Sequence, residues 1–83
     1  MTSHETIESW LERGNNEEYT HMIVVCDTFS YEDYPVYVTK AQEVRKIYDM
    51  LNGKEMQKVM EVYSYRKNLK EQLNQKLRIF NFD

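Results

Sequence analysis

Apolar positions along the chain alternate between a period near 3.6 and a period of two, and each change of period marks a new element. Ile7, Trp10 and Leu11 recur at i, i+3, i+4 and predict a first helix. Thr2 and Glu5 have the spacing of a capping box at its start. Gly14 stands where a helix end favours a positive φ, and NNEE follows as a loop. Residues 20–28, THMIVVCDT, are apolar on both parities and rich in β-branched side chains, which predicts a central strand. Residues 34–39, YPVYVT, predict its hairpin partner, with Phe29–Asp33 as the connecting loop. Pro35 has no amide proton to give a ladder, so it belongs at a strand start or on an edge.

Lys40–Leu51 reads as a second helix, with Ala41, Val44, Ile47, Tyr48 and Leu51 as its stripe, Thr39 as its cap and Asn52-Gly53 as its end. The next segment, MQKVMEVYSY, carries two periods at once. Met56, Val59, Met60 and Tyr63 fit a helix, whereas Val59–Tyr65 fits a strand, and its β-branched and aromatic content favours the strand. A last helix is expected over Arg66–Arg78, with Leu69, Leu73 and Leu77 on one side. The tail IFNFD offers Ile79, Phe80 and Phe82 for docking onto the core. The order is αββαβα, which predicts a single α+β domain over residues 1–83: a three-stranded sheet with helices mainly on one face.

Strand parity then assigns faces. With Thr28 opposite Tyr34, the residues Met22, Val24, Cys26, Val36 and Val38 form one apolar face, expected to meet the helices. The other face carries His21, Ile23, Val25, Asp27 and Tyr37, with Val59, Glu61, Tyr63 and Tyr65 from the third strand. Half apolar, tyrosine-rich and edged by carboxylates, that second face is expected either between subunits of a homo-oligomer or beneath a helix.

Composition narrows the classes. The chain has 83 residues, and a domain of this size buries only roughly 60 to 65 % of the surface its unfolded chain exposes, which favours self-association. No run of about 18 apolar residues is present, so no membrane span is expected. Glu5 and Glu8 near the start speak against a secretory signal. The single Cys26 excludes an internal disulfide and suits a reducing compartment, expected to be cytoplasmic.

The formal charge of −3 is unevenly spread. Residues 1–34 carry eight carboxylates against Arg13, a net −7, while residues 66–78 carry five cations against Glu71, a net +4. Such asymmetry steers charged partners or drives head-to-tail association. A nucleic-acid polymer is not expected, because the chain is acidic overall and phosphate contacts dominate that kind of affinity.

Catalytic and metal chemistry is sparse. His21 and Cys26 are five apart and point to opposite sides of a strand, so they share no metal. Cys26 is expected among valines, where a thiol is inert. The only glycines, Gly14 and Gly53, are placed as helix caps and form no phosphate loop. Asp27, paired with Glu61 or Asp33, is the one conceivable acid–base or metal-dependent, nuclease-like constellation. No cofactor is expected.

Cys26-Asp27-Thr28-Phe29 with Tyr31-Glu32-Asp33-Tyr34-Pro35-Val36-Tyr37-Val38, followed by MQKVMEVYSY and the leucine-spaced end, resembles a set of small uncharacterised proteins of tailed bacteriophages and prophages. The resemblance covers most of the chain and implies an accessory protein acting in a bacterial cytoplasm. It carries no functional residue with it. The expectation is a non-catalytic, oligomeric binding protein that counters a host or defence factor, either by blocking a protein or by sequestering a nucleotide-like signal. A virion or assembly component and the metal-dependent enzyme are the alternatives. The residues expected to meet the partner are Asp27, Tyr31, Glu32, Asp33, Tyr34 and Tyr37 on the hairpin, with Glu61, Tyr63 and Tyr65 on the third strand.

Overall fold

The computed structural model describes residues 3–75 and 77–83. The elements run α1 (His4–Arg13), β1 (Tyr19–Asp27), β2 (Glu32–Thr39), α2 (Val44–Leu51), β3 (Gln57–Ser64) and α3 (Leu69–Leu73), the αββαβα order of a small α+β domain. β1 lies at the centre of an antiparallel sheet of order β2-β1-β3. Its two apolar parities are explained by burial on both sides. Met22 and Val24 join Ile7, Leu11, Tyr63 and Ile79 beneath α1 and α3. Ile23 and Val25 join Val38, Val44, Val59 and Val62 beneath α2. Two of the three helices therefore share one face, and the third covers the other.

The hairpin register differs from the expected one. Cys26 pairs with Asp33, Val24 with Pro35 and Met22 with Tyr37. Against a Thr28–Tyr34 pairing this is a slip of three residues, and an odd slip sends every β2 side chain through the sheet. The cause is a tighter turn. Asp27 Oδ1 accepts from the amides of Phe29 and Ser30 at 2.8 and 3.4 Å, the Asp27 carbonyl accepts from Tyr31 N at 2.6 Å, and Tyr31 takes a left-handed φ of 59°. The turn closes over 28–31, so Glu32 and Asp33 enter the ladder. Val36 and Val38 then pack towards α2, while Tyr37 turns towards α1. The expected apolar face and mixed face do not exist as such. The residues of that second face, expected either between subunits or beneath a helix, are packed largely beneath the chain's own helices. Pro35 sits on the edge strand, where its missing donor costs nothing.

β3 resolves its double period with a bulge. Val24 pairs with Glu61 and Val25 with Val59, which leaves Met60 as an extra residue. Val59 and Val62, three apart, thereby face α2 together. The helix-like spacing of that segment is the mark of the bulge.

Three helix boundaries are also corrected. α1 is capped by Ser3, whose hydroxyl accepts from Thr6 N at 3.2 Å; the Thr2–Glu5 box involves a residue outside those described. α2 begins at Val44, because Thr39 N and Oγ1 donate to Gln42 Oε1 and close a separate turn at 39–42. α3 has five residues and stops at Asn74, so the stripe ends at Leu73 and Leu77 is exposed. Buried Gln72 fixes this arrangement. It accepts from Ser64 N at 2.8 Å, donates to Ser64 O at 2.9 Å and accepts from Asn81 Nδ2 at 2.8 Å. The chain then returns along β3 through a parallel bridge at Val62–Phe80, placing Ile79 on one sheet face and Phe82 on the other. Among the described residues, no helix is long and apolar enough to cross a membrane.

Candidate functional site

The residues expected to meet a partner divide into two groups. Tyr37, Glu61, Tyr63 and Tyr65 lie on the α1 side of the sheet, and their polar atoms are used internally. Tyr37 OH donates to Trp10 O at 2.7 Å, and Tyr65 OH donates to Leu11 O at 2.9 Å. Both carbonyls belong to the last turns of α1, where backbone acceptors run out of intrahelical donors. The two tyrosines thus close the C-terminal end of the helix. Gly14, whose φ is −94° and not positive, is small for a packing reason. A Cβ there would overlap the Tyr37 ring and the Tyr65 hydroxyl.

Tyr63 is buried and donates to Glu61 Oε1 at 3.0 Å. Burial, with the Glu61 charge beside it, pushes the Tyr63 hydroxyl well above the usual tyrosine range. Burial, with Tyr37 and Tyr19 nearby, does the same to Tyr65. Tyr37 is stacked on Tyr19, with centroids 5.1 Å apart and an interplanar angle of 27°.

The second group gathers at the end of the sheet where β1 turns into β2. Asp27 shapes the turn, and the left-handed Tyr31 throws its ring outward, 79 % exposed. Phe29 beside it is 77 % exposed. Thr28 reaches across to the approach to β3, donating from N at 2.7 Å and from Oγ1 at 2.8 Å to Met56 O. That link brings Met56, 58 % exposed, to the same end. Glu32 pairs with Asp27, and Asp33 lies across from Cys26. Tyr34 packs towards α2 and accepts a short hydrogen bond from Gln57 Nε2. Sequence reasoning missed Phe29 and Met56 as members of this group. The available signal was their size in segments bounded by turn residues.

The proposed carboxylate constellation is divided by the sheet. Asp27 shares the parity of Ile23 and Val25, whereas Glu61 and Asp33 pair with Val24 and Cys26 and share theirs. Among the described residues, no three His, Cys, Asp or Glu side chains are grouped to hold a metal. Cys26 is half-buried opposite Asp33 and Lys58, not enclosed by valines as expected. Burial and the neighbouring Asp33 push its thiol upward, so it stays protonated at neutral pH and is a poor nucleophile.

Comparison of the chain with protein-family models, with curated proteins and with solved structures gives no match in any of the three. The resemblance to phage proteins rests on the quoted residues alone.

Proposed function

We propose that the chain is a non-catalytic binding protein of the phage accessory kind, which blocks a host protein by docking its hairpin end onto it. The observation that carries this reading is the grouping of Phe29, Tyr31 and Met56, three large exposed side chains held at one end of the sheet by backbone and side-chain bonds. Large apolar side chains clustered on a surface mark contact sites more often than isolated ones do. Tyrosine and phenylalanine are the residue types enriched where proteins meet.

Charge complementarity defines the partner. Asp27, Glu32, Asp33 and Glu55 lie within the two segments that form this end, against Lys54 and Lys58, and residues 1–34 carry a net −7. The complement is a basic protein surface with an apolar centre. The acidic rim would speed encounter, and the apolar centre would supply most of the hold.

The test places a photo-crosslinking residue at position 29 and exposes the protein to a bacterial lysate at low and high salt. A discrete crosslinked protein is expected, weakened by salt and lost in a Tyr31→Ser/Met56→Ser variant whose circular dichroism is unchanged. The same crosslink at undiminished yield in that variant would overturn the reading.

A further inference from the structure

The C-terminal leucine stripe leaves one member over. Leu69 and Leu73 pack against the core, but α3 ends at Asn74 and Leu77 is 82 % exposed. An exposed leucine by itself is ordinary. The flanks of this one are unusual, because Leu77 stands between Lys76 and Arg78 in the sequence. The other large apolar side chains exposed among the described residues are Phe29, Tyr31, Met50, Met56 and Phe80, and none has a cation on both sides. Tyr31 is followed by Glu32, while Met50 is preceded by Asp49 and Met56 by Glu55.

Beside α3 lies a groove that matches this segment. A cavity of about 180 Å³ opens between α1 and α3, with Leu11, Leu69 and Leu73 in its lining. Glu8, Glu12 and Lys70, all exposed, line it as well, two carboxylates against one cation. Glu8 and Glu12 are four residues apart on α1 and therefore project from the same side of the helix. A leucine-lined cavity of about 150 Å³ takes up a benzene-sized group, so this groove has room for a branched aliphatic side chain.

Charge selects among the exposed apolar groups. Residues 1–18 carry five carboxylates against Arg13, a net −4, and residues 66–78 carry five cations against Glu71, a net +4. The acidic hairpin end with Phe29 and Tyr31 is repelled by the carboxylates of the groove, and the Leu77 segment is attracted to them. Position then selects the arrangement. Leu77 follows Leu73 by four residues, a reach of at most roughly 14 Å, so the projecting leucine and the groove are neighbours on one molecule. Leu77 does not fill its own groove, since it is exposed and not part of the lining. A patch that holds both a projection and its complement is self-complementary, which is the requirement of a two-fold interface.

We propose that two copies of the chain pair about a two-fold axis, with Leu77 of each inserted into the α1–α3 groove of the other and Arg78 set against Glu8 and Glu12. Each dimer contains the contact twice. The pairing closes at two copies, whereas a head-to-tail contact would continue to add chains. It buries the leucine that the short α3 leaves outside and adds apolar burial to a chain of 83 residues, whose own core is thin. It uses no residue of the hairpin end and stands whether or not that end docks a protein.

The test is sedimentation equilibrium of the full chain from about 10 µM to about 1 mM, a range that reaches weak contacts of modest area. A monomer–dimer equilibrium is expected. Leu77→Asp should leave a monomer at every concentration with unchanged circular dichroism, because the side chain is in solvent within one copy. Arg78→Glu and Glu8→Arg/Glu12→Arg should each weaken pairing by about tenfold, and the chain carrying all three changes should recover it. Phe29→Ser/Tyr31→Ser should leave it unchanged. In an equal mixture of isotope-labelled and unlabelled protein, NMR contacts from the Leu77 methyl groups to Leu69 and Leu73 should arise between copies. A monomer throughout, a dimer indifferent to Leu77→Asp, or Leu77 contacts confined to one copy would overturn the proposal. Pairing lost in Phe29→Ser/Tyr31→Ser, or growth beyond two copies, would overturn it equally.

Discussion

Tyr65 and Tyr31 are the same residue type put to opposite use. Tyr65 lays its ring under α1 and spends its hydroxyl on Leu11 O; Tyr31 stands on a left-handed turn with its ring in solvent. Tyr37 and Tyr63 side with Tyr65, and the three form a polar-tipped layer between sheet and helix. Tyrosine density alone therefore does not mark a contact surface. What decides is whether the backbone offers the hydroxyl an acceptor. The end of α1 offers the carbonyls of Trp10 and Leu11, and the hairpin end offers none to Tyr31 within the described hydrogen bonds. The first setting makes tyrosine structural, and the second leaves it available to a partner.

The strongest way to break this contrast is to crowd the structural layer. Gly14→Ala drives a methyl group into the Tyr37 ring and the Tyr65 hydroxyl, and neither can retreat without losing its bond to α1. A loss of about 2–3 kcal/mol is expected, in the range of overpacked cores, read as a lower midpoint in urea with little change in slope. A wild-type midpoint would mean that the two rings are not fixed.

Alkali acts on the same layer with a smaller effect. In the unfolded chain Tyr63 ionises near pH 10; buried beside Glu61 it ionises only at higher pH. The folded state thus keeps a proton that the unfolded state gives up. The stabilising contribution is complete below pH 10 and declines as pH rises above it. At pH 11 the loss reaches about 1.4 kcal/mol from this group alone. Tyr63→Phe should remove that part of the alkaline slope, and an unchanged slope in the variant would refute the assignment.

The same two regions show where sequence reasoning reaches its limit. The order of elements was legible, because each change between a period of 3.6 and a period of two survives any small error of boundary. The central position of β1 was legible from its two apolar parities. The hairpin register was not, since it hangs on one side chain: Asp27 binds the amides of Phe29 and Ser30 and shortens the turn. That single bond network exchanged Val36 and Tyr37 between faces and brought Tyr37 beneath α1. Val59 and Val62 misled for a related reason, as a bulge cannot be distinguished from a helical turn by spacing. The groove between α1 and α3 had no local signature at all. Its lining comes from opposite ends of the chain, and only the folded chain brings them together.

A milder perturbation sharpens the contrast within the structural layer. Tyr65→Phe keeps the ring and deletes the hydroxyl, leaving Leu11 O without that donor, at an expected cost of about 1 kcal/mol. Tyr37→Phe should cost less, because Trp10 O also accepts from Gly14 N at 3.2 Å. Thermal denaturation of the two variants side by side checks the order, and a larger loss in Tyr37→Phe would show that Trp10 O depends more on the Tyr37 hydroxyl than on Gly14 N.

The smallest effect is expected at the hairpin end, and its smallness is the point. Phe29→Ser/Tyr31→Ser removes two exposed rings that carry none of the turn's hydrogen bonds through their side chains. The turn is held by Asp27 and by the link from Thr28 to Met56, all of which the variant keeps. Stability should change by less than about 0.5 kcal/mol, as is usual for surface positions. Equilibrium unfolding in urea measures this directly. A loss as large as that of Tyr65→Phe would mean that the exposed rings support the fold after all, and the distinction between the two groups of aromatic residues would collapse. A neutral result shows that the fold does not depend on the two rings, which leaves them free for the contact proposed above.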